Sequence, residues 1–202
     1  AVEHLGGARD LILRDAGAGD ARLPGVLSPL GHALAGRGDA GDALACFDQA
    51  LGELHEASEA DRDWVTISHA EFGRASLRLD AQEFADADAS AEAGIHALHR
   101  LPDEERDAGL EADLLVTLAL ARIRSGAVEQ GRSALDTAKE ASARANAADR
   151  WLQLCEAQTE LAHVHNARSE HDAALAIAED ARASLEQVSE SETTPDIVSA
   201  AF

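Results

Sequence analysis

Residues 27–54, LSPLGHALAGRGDAGDALACFDQALGEL, carry two apolar stripes of helical period separated by a break. Leu27, Leu30, Gly31 and Leu34 share one face of a first helix. Ala43, Leu44, Phe47, Ala50, Leu51 and Leu54 share one face of a second. Gly38-Asp39 stands between the stripes, where the chain must reverse. Neither short helix buries its stripe alone, so the two must close on each other. Gly31, Ala43 and Ala50 let the backbones approach closely, and Phe47 fills the space that remains.

The same landmarks recur along the chain. Leu30 corresponds to Phe72, Leu118 and Leu161, and Gly31 to Gly73, Ala119 and Ala162. Ala43 corresponds to Ala85, Gly131 and Ala174, Phe47 to Ala89, Leu135 and Ala178, and Ala50 to Glu92, Ala138 and Ala181. The successive spacings are 42, 46 and 43 residues. These positions set helix pairs over 24–57, 61–100, 107–145 and 149–188. In the second pair the stripe Phe84, Ala87, Ala91 competes with this register, one or two residues away. The extra residues fall near Leu101-Pro102, where the proline opens a helix with Asp103, Glu104 and Glu105 in its first turn. Residues 1–16 read as a partial repeat. Thr194-Pro195-Asp196 reads as a cap, so residues 194–202 begin a further helix after a flexible link, SESETT, at 189–194. The chain contains no methionine and both ends look cut, so it reads as part of a longer protein. Uncapped ends of a tandem array expose apolar faces, so self-association through them is expected.

Composition narrows the class. A core of alanine and leucine with 3% aromatics suits helix on helix, and no alternating run of Val, Ile or Thr reads as a strand. The formal net charge of −21 argues against nucleic acid and against an anionic membrane surface. Lys139 is the only lysine, a bias that fits a GC-rich genome or a salt-adapted proteome equally well. Cys46 and Cys155 lie in apolar helical stretches and read as buried reduced thiols. With no signal peptide and no apolar run near 18 residues, a cytoplasmic protein is expected.

No signature of catalysis is present: no Gly-rich phosphate loop, no G-x-S-x-G, no H-E-x-x-H, no spaced cysteine pairs. Neither enzyme activity, catalytic residues nor a cofactor is expected. Glu92, His96 and His99 share a helix face at metal-ligand spacing and form a weak metal candidate, against the commoner reading of a solvated face.

The pattern L-x2-L-G-x2-L, then G-D, then A-x3-F-x2-A, resembles a tetratricopeptide repeat, and the resemblance covers essentially the whole chain. The spacing exceeds the usual 34 or so residues and is similar to the longer-helix variety of kinesin light chains and of sensor regions in bacterial regulators. The resemblance implies an all-α fold, an α-solenoid of stacked antiparallel helix pairs wound into a right-handed superhelix. It also implies that first helices line a concave groove for peptides or partner helices. Carried over by position, that groove consists of Ser28 and His32; Ala70, Arg74 and Arg78; Val116, Leu120, Ile123 and Arg124; and Thr159, His163 and Asn166. Three arginines and two histidines fall in this set and no carboxylate does. Leu114 to Leu120 is apolar on every side, so part of it faces something beyond its partner helix. A mixed basic and apolar groove fits a protein or peptide with an acidic group and an apolar anchor. The competing reading pairs these arginines with acids of neighbouring helices. The Lys and Asn pattern by which some family members clamp two carboxylates is absent. The chain thus reads as an interaction module of a larger bacterial regulatory, signalling or scaffold protein. The alternative is a sensory domain whose curvature changes when it binds a small effector or peptide.

Overall fold

The computed structural model describes residues 1–193 except Ala16 and Ala18, with Ala60 and residues 189–193 described in backbone only. Among the described residues there are nine α-helices and no strand. Residues 194–202, expected to begin a further helix, lie outside them. The chain divides into two compact units, residues 1–106 and 107–202.

The first unit holds α1 (Val2–Asp15), α2 (Leu23–Ala35), α3 (Ala40–Glu56), α4 (Trp64–Asp80) and α5 (Phe84–Leu98). α2 pairs with α3 and α4 with α5, α3 packs on α4, α2 touches α4, and α1 lies against α2. The α2–α3 turn uses Gly38 at φ 91°, a left-handed conformation costly for any residue with a Cβ. Asp63 starts α4 by accepting a hydrogen bond from the Thr66 amide at 3.0 Å.

Phe47 holds this unit together. Its ring is fully buried. A Cβ at Gly31 on α2 would lie 2.6 Å from the ring, and one at Gly73 on α4 only 2.3 Å away. The aromatic side chain therefore occupies space that two glycines vacate, one in its own pair and one in the next first helix.

On α5, Ala87, Ser90, Ala91, Gly94 and Leu98 are buried, whereas Ala85, Ala89 and Glu92 are exposed. The buried stripe is thus shifted by two residues from the landmark register. The helix expected to open at Pro102 does not form there: Pro102 precedes a single 3-10 turn, Asp103–Glu105, and the next helix begins at Ala108, capped by Asp107.

The second unit holds α6 (Ala108–Ser125), α7 (Val128–Ala145), α8 (Ala148–Ala167) and α9 (His171–Thr193). α6 pairs with α7 and α8 with α9, and α8 packs on both α6 and α7. Here the glycine sits on the second helix: a Cβ at Gly131 would meet Ile123 Cγ1 at 2.6 Å. Nearly all of α6 between Leu110 and Ile123 is buried, including Leu114, Val116 and Leu118. On α9 the buried stripe is Ile177, Ala181 and Ser184, so Ala178 is exposed. Residues 189–193, which composition marks as a flexible link, continue this helix.

Candidate functional site

The expected groove residues of the first unit are largely committed to the unit itself. Ser28 and Ala70 are buried. His32 is half-buried; its ring lies edge-on to Phe47 at 4.9 Å, and its Nε2 is 3.1 Å from the His69 carbonyl oxygen. Burial holds this imidazole below the usual histidine range. Arg74 donates from Nε to Ser90 Oγ on α5 at 3.2 Å, from Nη1 to Asp48 on α3 at 3.2 Å, and from Nη2 to Glu71 Oε1 at 2.9 Å. Arg78 reaches the same Ser90 hydroxyl at 3.4 Å. Both guanidinium groups therefore turn toward second helices. Gly73 must face Phe47, and the next residue, about 100° further round the helix, then points between α3 and α5.

Where α3 and α5 end beside the start of α4, they border an open cavity of about 500 Å³. Trp64, Ile67, Ala93 and Ala97 contribute apolar walls, and His55, His96, His99 and Arg100 also line it. Glu71 borders it as a carboxylate 1% exposed. Its Oε2 stands 2.8 Å from Arg74 Nη2, yet receives no directed hydrogen bond from any described residue. Burial pushes the Glu71 carboxyl above the ordinary range, against the pull of Arg74. His55 is held low by burial first and by Arg62 and Arg74 next. The guanidinium groups of Arg62 and Arg100 lie 5.6 and 5.3 Å from the centre of the Trp64 ring. Arg100 also pairs with Glu59. Nothing in the repeat pattern marks this cavity.

In the second unit Val116 and Ile123 are buried and Leu120 is half-buried. Arg124 grips Glu160 of α8 bidentately, Nε to Oε1 and Nη2 to Oε2 both at 2.9 Å. Thr159, His163 and Asn166 are exposed and, at i, i+4 and i+7, share one face of α8. Leu152, 44% exposed, and Glu156 extend the same face toward the helix start. Thr159 Oγ1 donates to the Cys155 carbonyl at 2.8 Å, and Asn166 Oδ1 lies 3.0 Å from His171 Nδ1. The structure thus brings Arg124 together with the α8 strip, and adds two carboxylates that the positional carry-over did not include.

Glu92, His96 and His99 sit on α5 and its C-cap. Among the described residues, no group of three or more His, Cys, Asp or Glu side chains is arranged to hold a metal ion. No helix among them is long and apolar enough to cross a membrane.

No protein-family model matches the chain, and no curated protein does. Among solved structures it is similar to the MamA RS-1 ArsTM double mutant, with TM-score 0.58, 16% identity, and coverage of 96% of this chain and 97% of that one. It is also similar to MamA 41-end from Desulfovibrio magneticus RS-1, with TM-score 0.55, 17% identity and the same coverage. At such identity the likeness speaks to architecture alone, and it shows an α-solenoid of antiparallel helix pairs of the tetratricopeptide type.

Proposed function

We propose that the chain is a non-enzymatic interaction module that binds a protein or peptide through the first helices of its second unit. The observation that carries this reading is the Arg124–Glu160 pair between α6 and α8, flanked by exposed Thr159, His163 and Asn166. Arg124 is partly exposed and already oriented for bidentate carboxylate recognition. A partner carboxylate would exchange with Glu160 on Arg124, and an apolar anchor would lie on Leu120, one turn earlier on α6. The fold supports this reading, since stacked helix pairs create extended binding surfaces lined by rows of side chains. The spacing of 42–46 residues between landmarks supports reading the chain as a long-repeat member of the class. The test is selection of binders from a displayed random-peptide library, followed by titration against the unaltered protein, Arg124→Ala and Arg182→Ala. Arg182 is an outward residue of α9, paired along its own helix with Glu186. Selected peptides should be enriched in Asp or Glu beside an apolar residue, and Arg124→Ala should weaken them at least tenfold, as loss of a charge-assisted bond of roughly 1.5–3 kcal/mol requires. Equal binding by both variants would move recognition off this face.

A second reading, an effector-sensing module, is favoured by the cavity beside Glu71 in the first unit.

A further inference from the structure

The cavity between the ends of α3 and α5 and the start of α4 contains a contradiction that a ligand would resolve. Its walls are largely apolar, with His55, His96, His99 and Arg100 among them, and Glu71, 1% exposed, borders it with one carboxylate oxygen that stands 2.8 Å from Arg74 Nη2 yet accepts no directed hydrogen bond from any described residue. Buried acceptors are normally satisfied. We propose that this cavity binds a primary ammonium or guanidinium group carried on a short apolar body, the cation meeting Glu71 and the body lying against Ile67, Ala93, Ala97 and Trp64.

Three observations favour a cation over an anion. Arg74, whose guanidinium is bonded to Glu71, is divided among Glu71, Asp48 and Ser90. Arg100 at the mouth is engaged with Glu59, and an anion entering past it would approach a buried carboxylate. The net charge of −21 adds a field that attracts cations to every opening of the molecule.

Length sets the ligand class further. Glu71 lies seven residues beyond Trp64 on α4, roughly 10 Å along the helix axis at about 1.5 Å per residue. A ligand that meets both is longer than a bare ammonium ion or methylamine. An arylalkylamine fits, and so does a lysine or arginine side chain of a partner protein. The inference deepens the effector-sensing reading and is independent of the α8 face.

The experiment titrates the full chain with 2-phenylethylamine, with the capped peptide acetyl-Ala-Lys-Ala-amide, and with 3-phenylpropionate. Heat and the indole resonances of Trp64 and Trp151 are followed together. Saturable binding of the amine or the lysine peptide is expected, shifting Trp64 and leaving Trp151, in the other unit, unmoved. Binding by the amine alone identifies a free small molecule, and by the peptide alone a basic side chain. Glu71→Gln should weaken binding at least tenfold. Ala93→Phe, which fills the cavity and leaves Glu71 in place, should do the same and carries the test where Glu71→Gln fails to fold. Tighter binding of 3-phenylpropionate, amine binding indifferent to both variants, or no saturation by about 10 mM, where affinity falls below the weakest useful range, would overturn the inference. Whether amine binding changes the solution scattering profile tests the sensing reading separately, so the two fail independently.

Discussion

Phe47 and the two glycines that admit it make the clearest case for reading packing from single residues. Removing the ring empties a site sealed on both sides, and Phe47→Ala should cost roughly 3–5 kcal/mol. Chemical denaturation measures this directly, and an unchanged midpoint would mean the ring does not join α2, α3 and α4. Glycine substitutions sharpen the point. Gly52 is also in α3, but a Cβ there meets nothing within 4 Å, so Gly52→Ala should stabilise by about 0.5–1 kcal/mol through helix propensity. Gly73→Ala makes the same change in propensity, yet its Cβ would sit 2.3 Å from a rigid buried ring and should cost about 1–3 kcal/mol. The same sign for both would contradict the packing described. Residues of this kind were legible in the sequence because size complementarity between Gly31 and Phe47 is written within one repeat. Arg74 was not. Its direction depends on which face Gly73 gives to the neighbouring repeat, and on Glu71, Asp48 and Ser90 converging from three helices. Arg74→Ala would consequently strand a buried carboxylate, and it makes a poor probe of binding.

At the scale of helices, α6 is the element most loaded with buried polar groups. Glu111 pairs with Arg144 of α7 at 2.5 Å, and Asp113 lies 3.0 Å from Arg150 of α8. Burial raises the Asp113 carboxyl from 3.8 to about 6, with Arg150 opposing the shift and Asp149 and Asp107 adding to it. The folded state therefore holds this proton more tightly than the unfolded chain does. The resulting stability is fully present below about pH 4 and is lost as pH rises through about 6, by roughly 3 kcal/mol from a shift of about two units. Denaturation at pH 4.5 and pH 7 should show that loss in part, superposed on the other carboxylates, and Asp113→Asn should flatten it. An identical difference in the variant would remove Asp113 as its source. Helix periodicity alone places Asp113 on α6, but it cannot show that the helix is buried on nearly every side. In the same way the register of α5 was ambiguous, since alanines spaced along Phe84–Leu98 offer two stripes of similar quality and only the neighbouring helices choose between them. The cavity beside Glu71 follows from that choice, so it too was out of reach of the repeat pattern.

For the molecule as a whole, charge sets the behaviour in solution. Against 38 acidic residues stand 17 basic ones. Most of the ion pairs in both units involve exposed partners, which contribute little individually. Screening should then relieve net repulsion more than it weakens attraction, over a Debye length of roughly 10 Å at 0.1 M salt. The thermal midpoint should rise between low and moderate sodium chloride, and a steady fall would show the ion pairs to dominate. The all-helical repeat architecture was legible from a single repeat, because neither of its helices can bury its stripe without the other. A partner was not legible, because rows of first-helix side chains carry function in their combination across repeats. The most direct measurement is hydrogen–deuterium exchange of the full chain with and without a selected peptide. Binding at the proposed face should slow exchange in the last turns of α6, around Leu120 to Arg124, and along α8 from Thr159 to Asn166. Protection confined to α9, or to the first unit with α6 and α8 unchanged, would contradict it.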